Sequence, residues 1–330
     1  MAKVLGMGNA LVDIMIRLES DDSLEKFSLP KGSMQLVSNK FMKKILEKSS
    51  YLTKYQSSGG SAANTIHGLA ILGIKTAFIG KIGNDEFGNF FRADLEKNNI
   101  EPNLFLGETE TGRAVALISP DSERTFATFL GAAIELSGKD LTSSLFENYQ
   151  YFHIEGYLMQ NHDLIKKAVH LAKENNLLVS LDLASFNVIE ENLDFLKSLI
   201  NDYADIVFAN EEEAKAFTGK KPEEALQIMA GKCKIAVVKL GKNGSLIQQK
   251  DKIFRVGVIP VKSIDTTGAG DLYASGFLYG LIKGLSLQKC GETGSILSGK
   301  VIEVTGSKMD LQRWSEIKNL IENLTYQNNP

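Results

Sequence analysis

The sequence predicts an α/β fold: a doubly wound, mostly parallel sheet with helices on both faces, accompanied by a small antiparallel β lid. From Tyr151 to Leu240, short apolar runs alternate with amphipathic stretches, an order that builds a parallel sheet covered by helices. Residues 113–130 break this alternation with two adjacent strand-like runs. The 330 residues, of which 43% are apolar, are enough for a large core and an appendage.

The amino-terminal part begins the alternation. Val4–Gly8 predicts a short buried strand that ends in glycines. Ser58–Asn64 is a glycine-rich loop that opens a helix over Thr65–Leu72. Thr76–Ile82 follows as a buried strand, and Glu86–Asn98 as an amphipathic helix.

The next part of the chain supplies the lid hairpin and then the main alternation. Arg113–Ser119 and Thr125–Leu130, joined across Pro120-Asp121-Ser122, predict an antiparallel hairpin. The main alternation then runs strand Tyr151–Ile154, helix Asp163–Asn175, strand Leu177–Leu181, helix Ile189–Asp202, strand Ile206–Ala209, helix Glu211–Thr218 and strand Ile235–Leu240.

The carboxy-terminal part closes the predicted sheet and adds a helix pair. Asn243-Gly244 predicts a tight turn into a strand over Ser245–Gln248. Helices are predicted over Asp271–Lys283 and Gln288–Val304, with a polar tail from Thr325.

Composition excludes several classes of protein. With 37 basic and 40 acidic residues, a net charge of -3 gives no electrostatic footprint for nucleic acid or for an anionic membrane. Cys233 and Cys290 form neither a CxxC pair nor a zinc spacing, which favours the reducing cytoplasm. No apolar run approaches the roughly 18 residues of a membrane span, and Asn9 and Asp13 interrupt the only signal-like start. We therefore expect a soluble, unprocessed protein.

The segment Asp265-Thr266-Thr267-Gly268-Ala269-Gly270-Asp271 is the most informative about chemistry. Its small residues turn the backbone into a helix, so free amide N–H groups converge where the helix dipole is positive. It lacks the Gly-Lys-Ser/Thr of a Walker A loop and the third glycine of a dinucleotide fingerprint. Asp271 beside this anion cradle fits a base that accepts a proton from an attacking hydroxyl. A helix N-cap is the alternative.

This segment resembles the carboxy-terminal motif of the ribokinase-like (PfkB-type) sugar and nucleoside kinases. Three other segments resemble motifs of the same family in the same order. They are Gly6–Asp13, Gly59–Asn64 and the Asn-x-x-Glu run Asn210–Glu213. The resemblance covers nearly the whole chain. It implies a Rossmann-like sheet with a β lid, and phosphoryl transfer from ATP to a hydroxymethyl group.

The family roles, carried over onto matching positions, assign the reacting groups and the acceptor. The resemblance makes Asp271 the base and the amides of Gly268, Ala269 and Gly270 the anion hole. Residues that would hold the acceptor hydroxyls are Asn9, Asp13, Gly59, Gly60 and Asn64. A carboxylate accepts two vicinal hydroxyls at once, which agrees with this assignment. The alternatives are a solvated carboxylate at Asp13 and a simple turn at Gly59-Gly60.

The resemblance also assigns a donor side. Asn210 and Glu213 would serve ATP and Mg²⁺, with Glu213 acting through water because magnesium keeps several of its waters. The same pair is also a capping box. Lys239, Gly241, Gly244 and Thr266 would line the nucleotide, and a plain type I′ hairpin is the alternative for residues 239–244.

Three further assignments concern the lid arginine, a second cation and an aromatic residue. Arg124 would reach phosphates when the lid closes, since a guanidinium binds phosphate oxygens bidentately. Asp265 and Thr267 resemble positions that line a potassium loop, closed by Gly306-Ser307, and a cation there would stiffen the anion hole. Tyr157, with Phe152, could stack on a base, and a place in the core is an equal alternative for both. The predicted kinase core is residues 1–13, 55–102 and 133–330, and the lid is residues 14–54 and 103–132.

Several functions remain open at this point. Gly6–Asn9 and Met34–Leu36 look more like adenosine kinase and its bacterial relatives, whereas Ala62-Ala63 is typical of free-sugar kinases of the ribokinase or fructokinase type. An NAD-dependent oxidoreductase is disfavoured because Leu11 stands in place of the third glycine. A non-catalytic sugar-binding relative is disfavoured because Asp271 and its glycines are present. We expect a nucleoside or sugar and ATP as ligands, and a monomer or homodimer.

Overall fold

A computed structural model describes residues 3–121 and 123–326. Ser122 of the predicted lid turn and residues 327–330 of the polar tail lie outside this range. The strands are β1 Lys3–Met7, β2 Leu11–Arg17, β3 Met34–Leu36, β4 Lys54–Gly59, β5 Lys75–Ile82, β6 Ile100–Leu106, β7 Gly112–Ile118, β8 Arg124–Phe129, β9 Tyr151–Glu155, β10 Leu178–Asp182, β11 Ile206–Asn210, β12 Ile235–Lys239, β13 Ser245–Gln249 and β14 Lys252–Val256.

The helices cover the large sheet and support the small one. They are α1 Asp22–Phe27, α2 Asn39–Lys48, α3 Ser61–Ile71, α4 Glu86–Lys97, α5 His162–Glu174, α6 Phe186–Glu191, α7 Leu193–Tyr203, α8 Glu211–Thr218, α9 Pro222–Ala230, α10 Ala269–Ile282, α11 Leu287–Val301 and α12 Leu311–Tyr326. None of the helices in the described residues combines the length and apolar character that crossing a bilayer requires.

The larger of the two sheets, here called the large sheet, has the strand order β14-β13-β12-β11-β10-β9-β1-β5-β6. All neighbours from β12 to β6 pair in parallel, and β13 and β14 add an antiparallel edge. The chain runs outward from β1 in both directions, so β1 marks the point where the strand order reverses. This confirms the predicted doubly wound, mostly parallel sheet, and it places the expected ligand crevice at the carboxyl ends of the central strands.

The large sheet is buried on both faces. Along β11, Val207 and Ala209 join the core that α5 to α9 cover, whereas Ile206 and Phe208 join the core that α3, α10 and α11 cover. Strands buried on both sides favour near-continuous apolar runs. This preference explains why continuous apolar runs located these strands in the sequence.

The second sheet, here called the small sheet, has the order β3-β8-β7-β2-β4. The predicted hairpin β7–β8 is antiparallel, as is the pair β2–β4. However, β2–β7 and β3–β8 pair in parallel, so the small sheet is mixed and not antiparallel throughout. The strands of each parallel pair are far apart in sequence, and such a connection leaves the direction of pairing free.

The borders between the sheets differ from the predicted lid borders. Residues 11–13 and 55–59 lie in β2 and β4 of the small sheet, and residues 103–106 lie in β6 of the large sheet. Each strand continues for as long as its neighbour offers backbone partners: β6 pairs with β5 up to Leu106. A change in composition along the chain does not reveal where that pairing stops.

The small sheet buries only one of its faces. Ile14 and Ile16 point into a core with Met42 and Ile45 of α2. The opposite face, here called the inner face, carries Asp13, Met15, Ala116, Phe126, Met34 and Leu36. Strand register places Met15, Ala116, Phe126 and Met34 in one row across it. Met34 and Leu36 are 57% and 61% exposed.

The inner face is turned toward the carboxy-terminal part of the core. The sulfur of Met15 lies 3.0 Å from the position that a Cβ would take on Gly306. A cavity of about 260 Å³ lies nearby, lined by Met15, Arg17, Tyr55, Ile118 and Thr305.

Candidate active site

Four polar residues end four adjacent strands of the large sheet. Glu155, Asp182, Asn210 and Lys239 are the last residues of β9, β10, β11 and β12, and Asn9 follows the neighbouring β1. Because these strands are parallel, the five side chains meet at one edge of the sheet. The site is therefore assembled at the strand ends where an open α/β sheet binds its ligands.

The predicted anion cradle lies at the beginning of α10. Gly268 is the N-cap residue, with a φ of 76° that favours glycine. The amide of Ala269 bonds to the carbonyl of Thr266 at 3.2 Å. The Nζ atom of Lys239 lies 3.1 Å from the position that a Cβ would take on Gly270. An ammonium group thus stands beside the amino terminus of a helix, an arrangement that attracts a phosphate.

Asp271 lies in the first turn of α10 and is hydrogen-bonded to the glycine-rich loop Ser58–Asn64, here called the acceptor loop. Its carboxylate accepts hydrogen bonds from Ser61 Oγ at 2.7 Å and from Asn64 Nδ2 at 2.9 Å. Burial raises the pKa of Asp271 to about 6, although both hydrogen bonds act to lower it. Because Gly268 is the N-cap and no side chain caps this helix, Asp271 is not the cap that the alternative interpretation required.

The acceptor residues predicted from the sequence come together around Asp271. Gly60 has a φ of 96°, and any Cβ there would collide with the Asn9 carbonyl. A Cβ on Gly59 would collide with the Asp13 carboxylate in the same way. Only glycine lets this loop approach both residues so closely. Asn64 bridges the loop to Ser307, whose hydroxyl donates to Asn64 Oδ1 at 2.9 Å.

Asp13 has a charged neighbour that the sequence did not reveal. Burial raises the pKa of Asp13 to about 7, the positive charge of Lys308 lowers it, and the charge of Asp271 raises it. The Nζ atom of Lys308 is buried without a hydrogen-bond partner among the described residues. Burial lowers the pKa of Lys308, and the charges of Asp94, Asp13 and Asp271 act in the opposite direction.

Glu155 is a second site residue that sequence reasoning missed. Its carboxylate, 1% exposed, accepts from the amide and the side-chain Nδ2 of Asn9 at 2.9 and 2.7 Å, and from the Ala62 amide at 2.9 Å. Burial raises the pKa of Glu155 to about 7. Glu155 therefore fixes both Asn9 and the glycine-rich loop. An acid at the end of an apolar run, Tyr151–Glu155, was the available signal.

On the donor side, Asn210 and Glu213 form a complete capping box. The Asn210 amide donates to Glu213 Oε2 at 2.7 Å, and the Glu213 amide donates to Asn210 Oδ1 at 2.8 Å. Asn210 Nδ2 also donates to Glu213 Oε1 at 2.6 Å, so both carboxylate oxygens are engaged. Burial raises the pKa of Glu213 to about 7. The described residues contain no group of three metal-binding side chains. This arrangement fits a magnesium ion held through water rather than by direct ligation.

Lys239 is held by Asp182, which the sequence analysis did not single out. The Lys239 Nζ donates to Asp182 Oδ2 at 2.8 Å, and Asp182 is 5% exposed. The following hairpin, β12–β13, is antiparallel as predicted, but its loop spans Leu240–Gly244 and contains a short 3-10 turn instead of a two-residue turn. Gly241 faces open space, whereas a Cβ on Gly244 would collide with the Val256 carbonyl. The space beside Gly241 is therefore open, although its carbonyl accepts from the Gly244 amide at 3.1 Å. Thr266, two residues before Gly268, is exposed.

The two proposed aromatic residues differ in position. Phe152 is fully buried and packs edge-on against Phe146, so the interpretation that it stacks on a base is wrong. Tyr157 is 38% exposed, and its hydroxyl donates to the Ala184 carbonyl at 3.4 Å. Burial raises the pKa of Tyr157, and Asp271 is the charged group that contributes most. The charge of Asp271 therefore acts on the Tyr157 hydroxyl.

Arg124 crosses from the small sheet to the cradle loop. Its Nη1 donates to Thr267 Oγ1 at 2.7 Å and forms an ion pair with Asp265. Asp265 also accepts from the amides of Thr267 and Gly306. The lid arginine and both residues of the predicted potassium loop thus form one cluster.

The amino-terminal glycines do not form a dinucleotide site. After Gly6 and Gly8 the chain continues into β2 from Leu11, a strand of the small sheet. A dinucleotide fingerprint requires a helix at this point, because its pyrophosphate is bound at a helix N-terminus. The oxidoreductase interpretation is therefore excluded.

Comparison with known proteins agrees with this geometry. Residues 45–313 match the pfkB family carbohydrate kinase domain. A probable sugar kinase from Rhizobium etli CFN 42 is similar with a TM-score of 0.88 and 31% identity, covering 98% of this chain and 99% of that one. The adenosine kinase from Sinorhizobium meliloti is similar with a TM-score of 0.86 and 32% identity, covering 97% and 99%. The 5-dehydro-2-deoxygluconokinase from Clostridium beijerinckii is 30% identical over 298 residues, 84% of this chain and 87% of that protein.

Proposed function

We propose that this chain, which belongs to the pfkB family of carbohydrate kinases and so acts on sugar or nucleoside hydroxyls, transfers the γ-phosphoryl group of ATP to the primary hydroxyl of an adenosine-like nucleoside. One observation carries the chemistry. Asp271 lies between the acceptor loop, which it contacts through Ser61 and Asn64, and the amide cradle that begins α10.

The residues of this chain divide the reaction between them. Asp271 accepts the proton of the primary hydroxyl. The hydroxyl oxygen forms a bond to the γ-phosphorus while the bond between that phosphorus and the β-phosphate oxygen breaks, which leaves ADP. The amides of Gly268 and Gly270, with Lys239, stabilise the negative charge on the transferring group, whereas the Ala269 amide is engaged by the Thr266 carbonyl. A base with a pKa of about 6 is largely ionised at neutral pH, yet basic enough to take a proton.

The donor groups would lie along the ends of β11 and β12. Asn210, Gly241 and Thr266 offer polar groups and open backbone to the nucleotide. Magnesium supplies positive charge to the donor phosphates, and Glu213 would orient one of its waters. Glu213 would do so only while ionised, and Lys239 is the nearby charge that lowers its pKa.

The inner face of the small sheet supports a nucleoside acceptor. Asp13 lies on the same face as Met15, two residues further along β2, and the apolar row continues through Ala116, Phe126 and Met34. A carboxylate for ribose hydroxyls therefore lies next to an apolar surface that fits the flat base. A free sugar would leave that surface without an apolar partner.

A free sugar or sugar acid is the second candidate acceptor. The observation that favours it is the number of buried polar groups at the site: Asn9, Asn64 and Glu155 are 6%, 5% and 1% exposed. These groups bond to one another and to Asp271 and Ser307, and their remaining donor and acceptor positions suit acceptor hydroxyls. The relative from Clostridium beijerinckii is a 5-dehydro-2-deoxygluconokinase by name.

A panel of acceptors with ATP and Mg²⁺ tests the proposal. Adenosine, other nucleosides, ribose, fructose and 5-dehydro-2-deoxygluconate are incubated with the protein, and ADP release and phosphorus NMR spectra of the products are recorded. We expect a 5′-phosphate monoester of a purine nucleoside. Phosphorylation of a free sugar only would replace the nucleoside by the second candidate, and no acceptor-dependent ADP release with any compound would contradict both.

A further inference from the structure

The cluster of Arg124, Asp265 and Thr267 joins the small sheet to the core, and among the described residues no strand of the small sheet pairs with the large sheet. Arg124 is the first residue of β8 in the small sheet, whereas Asp265 and Thr267 precede α10 in the core. The side chains of Arg124 and Asp265 are 12% and 3% exposed. A buried carboxylate is stable in its ionised form only with a compensating charge and hydrogen bonds, and Arg124 supplies that charge.

A potassium ion does not fit these oxygens together with the guanidinium. Asp265 Oδ1 accepts from the Thr267 amide and from Arg124, and Asp265 Oδ2 accepts from the Gly306 amide. Thr267 Oγ1 accepts from Arg124 as well. A second cation on the same oxygens would be repelled by the first at short range in a poorly solvated place.

We propose that the guanidinium of Arg124 takes the place of a bound potassium ion at the loop 265–270, which forms the anion cradle. Arg124 reaches this loop only when the small sheet lies over the core. The carboxylate that Arg124 holds fixes the Thr267 amide on one side and Gly306 on the other. Thr267 immediately precedes the N-cap Gly268, and Ser307, next to Gly306, packs within 2.8 Å of the position of a Cβ on Gly268. Arg124 is therefore a positioning residue for the cradle.

This arrangement makes the anion hole depend on the position of the small sheet. When the small sheet lifts, Arg124 leaves and Asp265 loses its charged partner, so the two amides that it holds become looser. The anion hole is then complete only while the small sheet lies over the core, as it does in this structure. Such a dependence limits transfer of the phosphoryl group to water, since an open site has an incomplete cradle.

The test compares wild type, Arg124→Gln and Arg124→Lys, with Lys31→Gln as a matched control. Lys31 is also a cation of the segment that carries the small sheet, but it pairs with Asp21 and Asp121 away from the cradle. Turnover is measured in potassium chloride and in tetramethylammonium chloride at equal ionic strength. Hydrogen exchange of the Thr267 and Gly306 amides is measured in the ligand-free protein, so this readout does not depend on the proposed reaction.

We expect wild type and Lys31→Gln to turn over equally in the two salts, within about twofold, with both amides protected. Arg124→Gln should lose roughly tenfold or more in turnover, expose both amides, and regain protection in potassium chloride only. Arg124→Lys should restore part of both readouts. Potassium activation of the wild type by more than about fivefold, or wild-type amide protection in Arg124→Gln, would overturn the proposal, whether or not the acceptor is a nucleoside.

Discussion

The large sheet and the small sheet bury their residues differently, and the difference separates two tasks. The central strands of the large sheet are buried on both faces, and Glu155, Asp182, Asn210 and Lys239 are the polar residues at the carboxyl ends of four of them. The small sheet covers one face and leaves the other with Asp13 among partly exposed apolar side chains. A frame packed on both sides fixes the side chains that we propose for phosphoryl transfer, whereas a sheet packed on one side is free to move over the proposed acceptor site.

The largest expected effect comes from the carboxylate of Asp271 at the start of α10. Asp271→Asn should lower turnover about 10²–10⁴-fold, because the amide keeps the shape of the side chain but accepts no proton. Acceptor affinity, measured by calorimetry, should stay within about threefold, since the substitution removes no group of the small sheet. Asp251→Asn, at an exposed turn between β13 and β14, is the control.

The same variant carries a prediction for stability. The folded protein raises the pKa of Asp271 from 3.8 to about 6, so the carboxyl favours folding fully below the unfolded value, and that contribution is lost as the pH rises through 6. Asp271→Asn removes this pH dependence, and its melting temperature at pH 8 should equal or exceed that of the wild type. More than half of the wild-type turnover in a folded Asp271→Asn protein would show that another group is the base.

On the small sheet, Asp13→Ala should weaken the acceptor rather than the chemistry. Loss of a charged hydrogen-bond partner is worth ~1.5–3 kcal/mol, or roughly tenfold to a hundredfold in affinity. Nucleotide affinity should be unchanged, because Asp13 contacts the loop at Gly59 and not the cradle. Asp22→Ala in α1, exposed and on the same part of the chain, provides the control. Unaltered acceptor binding by calorimetric titration would remove Asp13 from the site.

A smaller effect is expected from Lys308 of the core, whose positive charge acts on Asp13 of the small sheet. Lys308 lowers the pKa of Asp13, so Lys308→Met should raise it above about 7 and leave Asp13 mostly protonated at neutral pH. The acidic limb of kcat/KM for the acceptor should then move to higher pH, by about one unit. Lys318→Met on α12, which is exposed, should leave the profile unchanged. An unshifted limb in Lys308→Met would mean that this ammonium does not act on the acceptor carboxylate.

The two regions also differed in how far the sequence revealed them. The strands of the large sheet were predictable because burial on both faces favours near-continuous apolar runs. The loops at Gly59–Asn64 and Asp265–Asp271 were predictable because their chemistry is local. The parallel pairings of the small sheet were not, since they join residues about one hundred positions apart and depend on contacts that no short window contains.

The site residues that the sequence analysis missed share one cause. Glu155, Asp182 and Lys308 gain their roles from neighbours on other strands or loops, such as Asn9, Lys239 and Asp13. The sequence left Phe152 open between a base contact and the core because neither face of a doubly buried strand is marked in the sequence. Helices α9 and α12 were not predicted because α9 is short and begins after a lysine without a side-chain cap, and α12 is mostly polar.

The division of labour between the sheets can be measured directly by hydrogen exchange with each ligand alone. Acceptor alone should protect β2, β4, β7 and β8 of the small sheet, while β9, β10 and β11, already buried, change little. A non-hydrolysable ATP analogue with Mg²⁺ should instead protect residues 240–244 and 266–271. If the small sheet is protected equally with and without acceptor, it is a fixed part of the fold, and the account of it as a cover for the acceptor is contradicted.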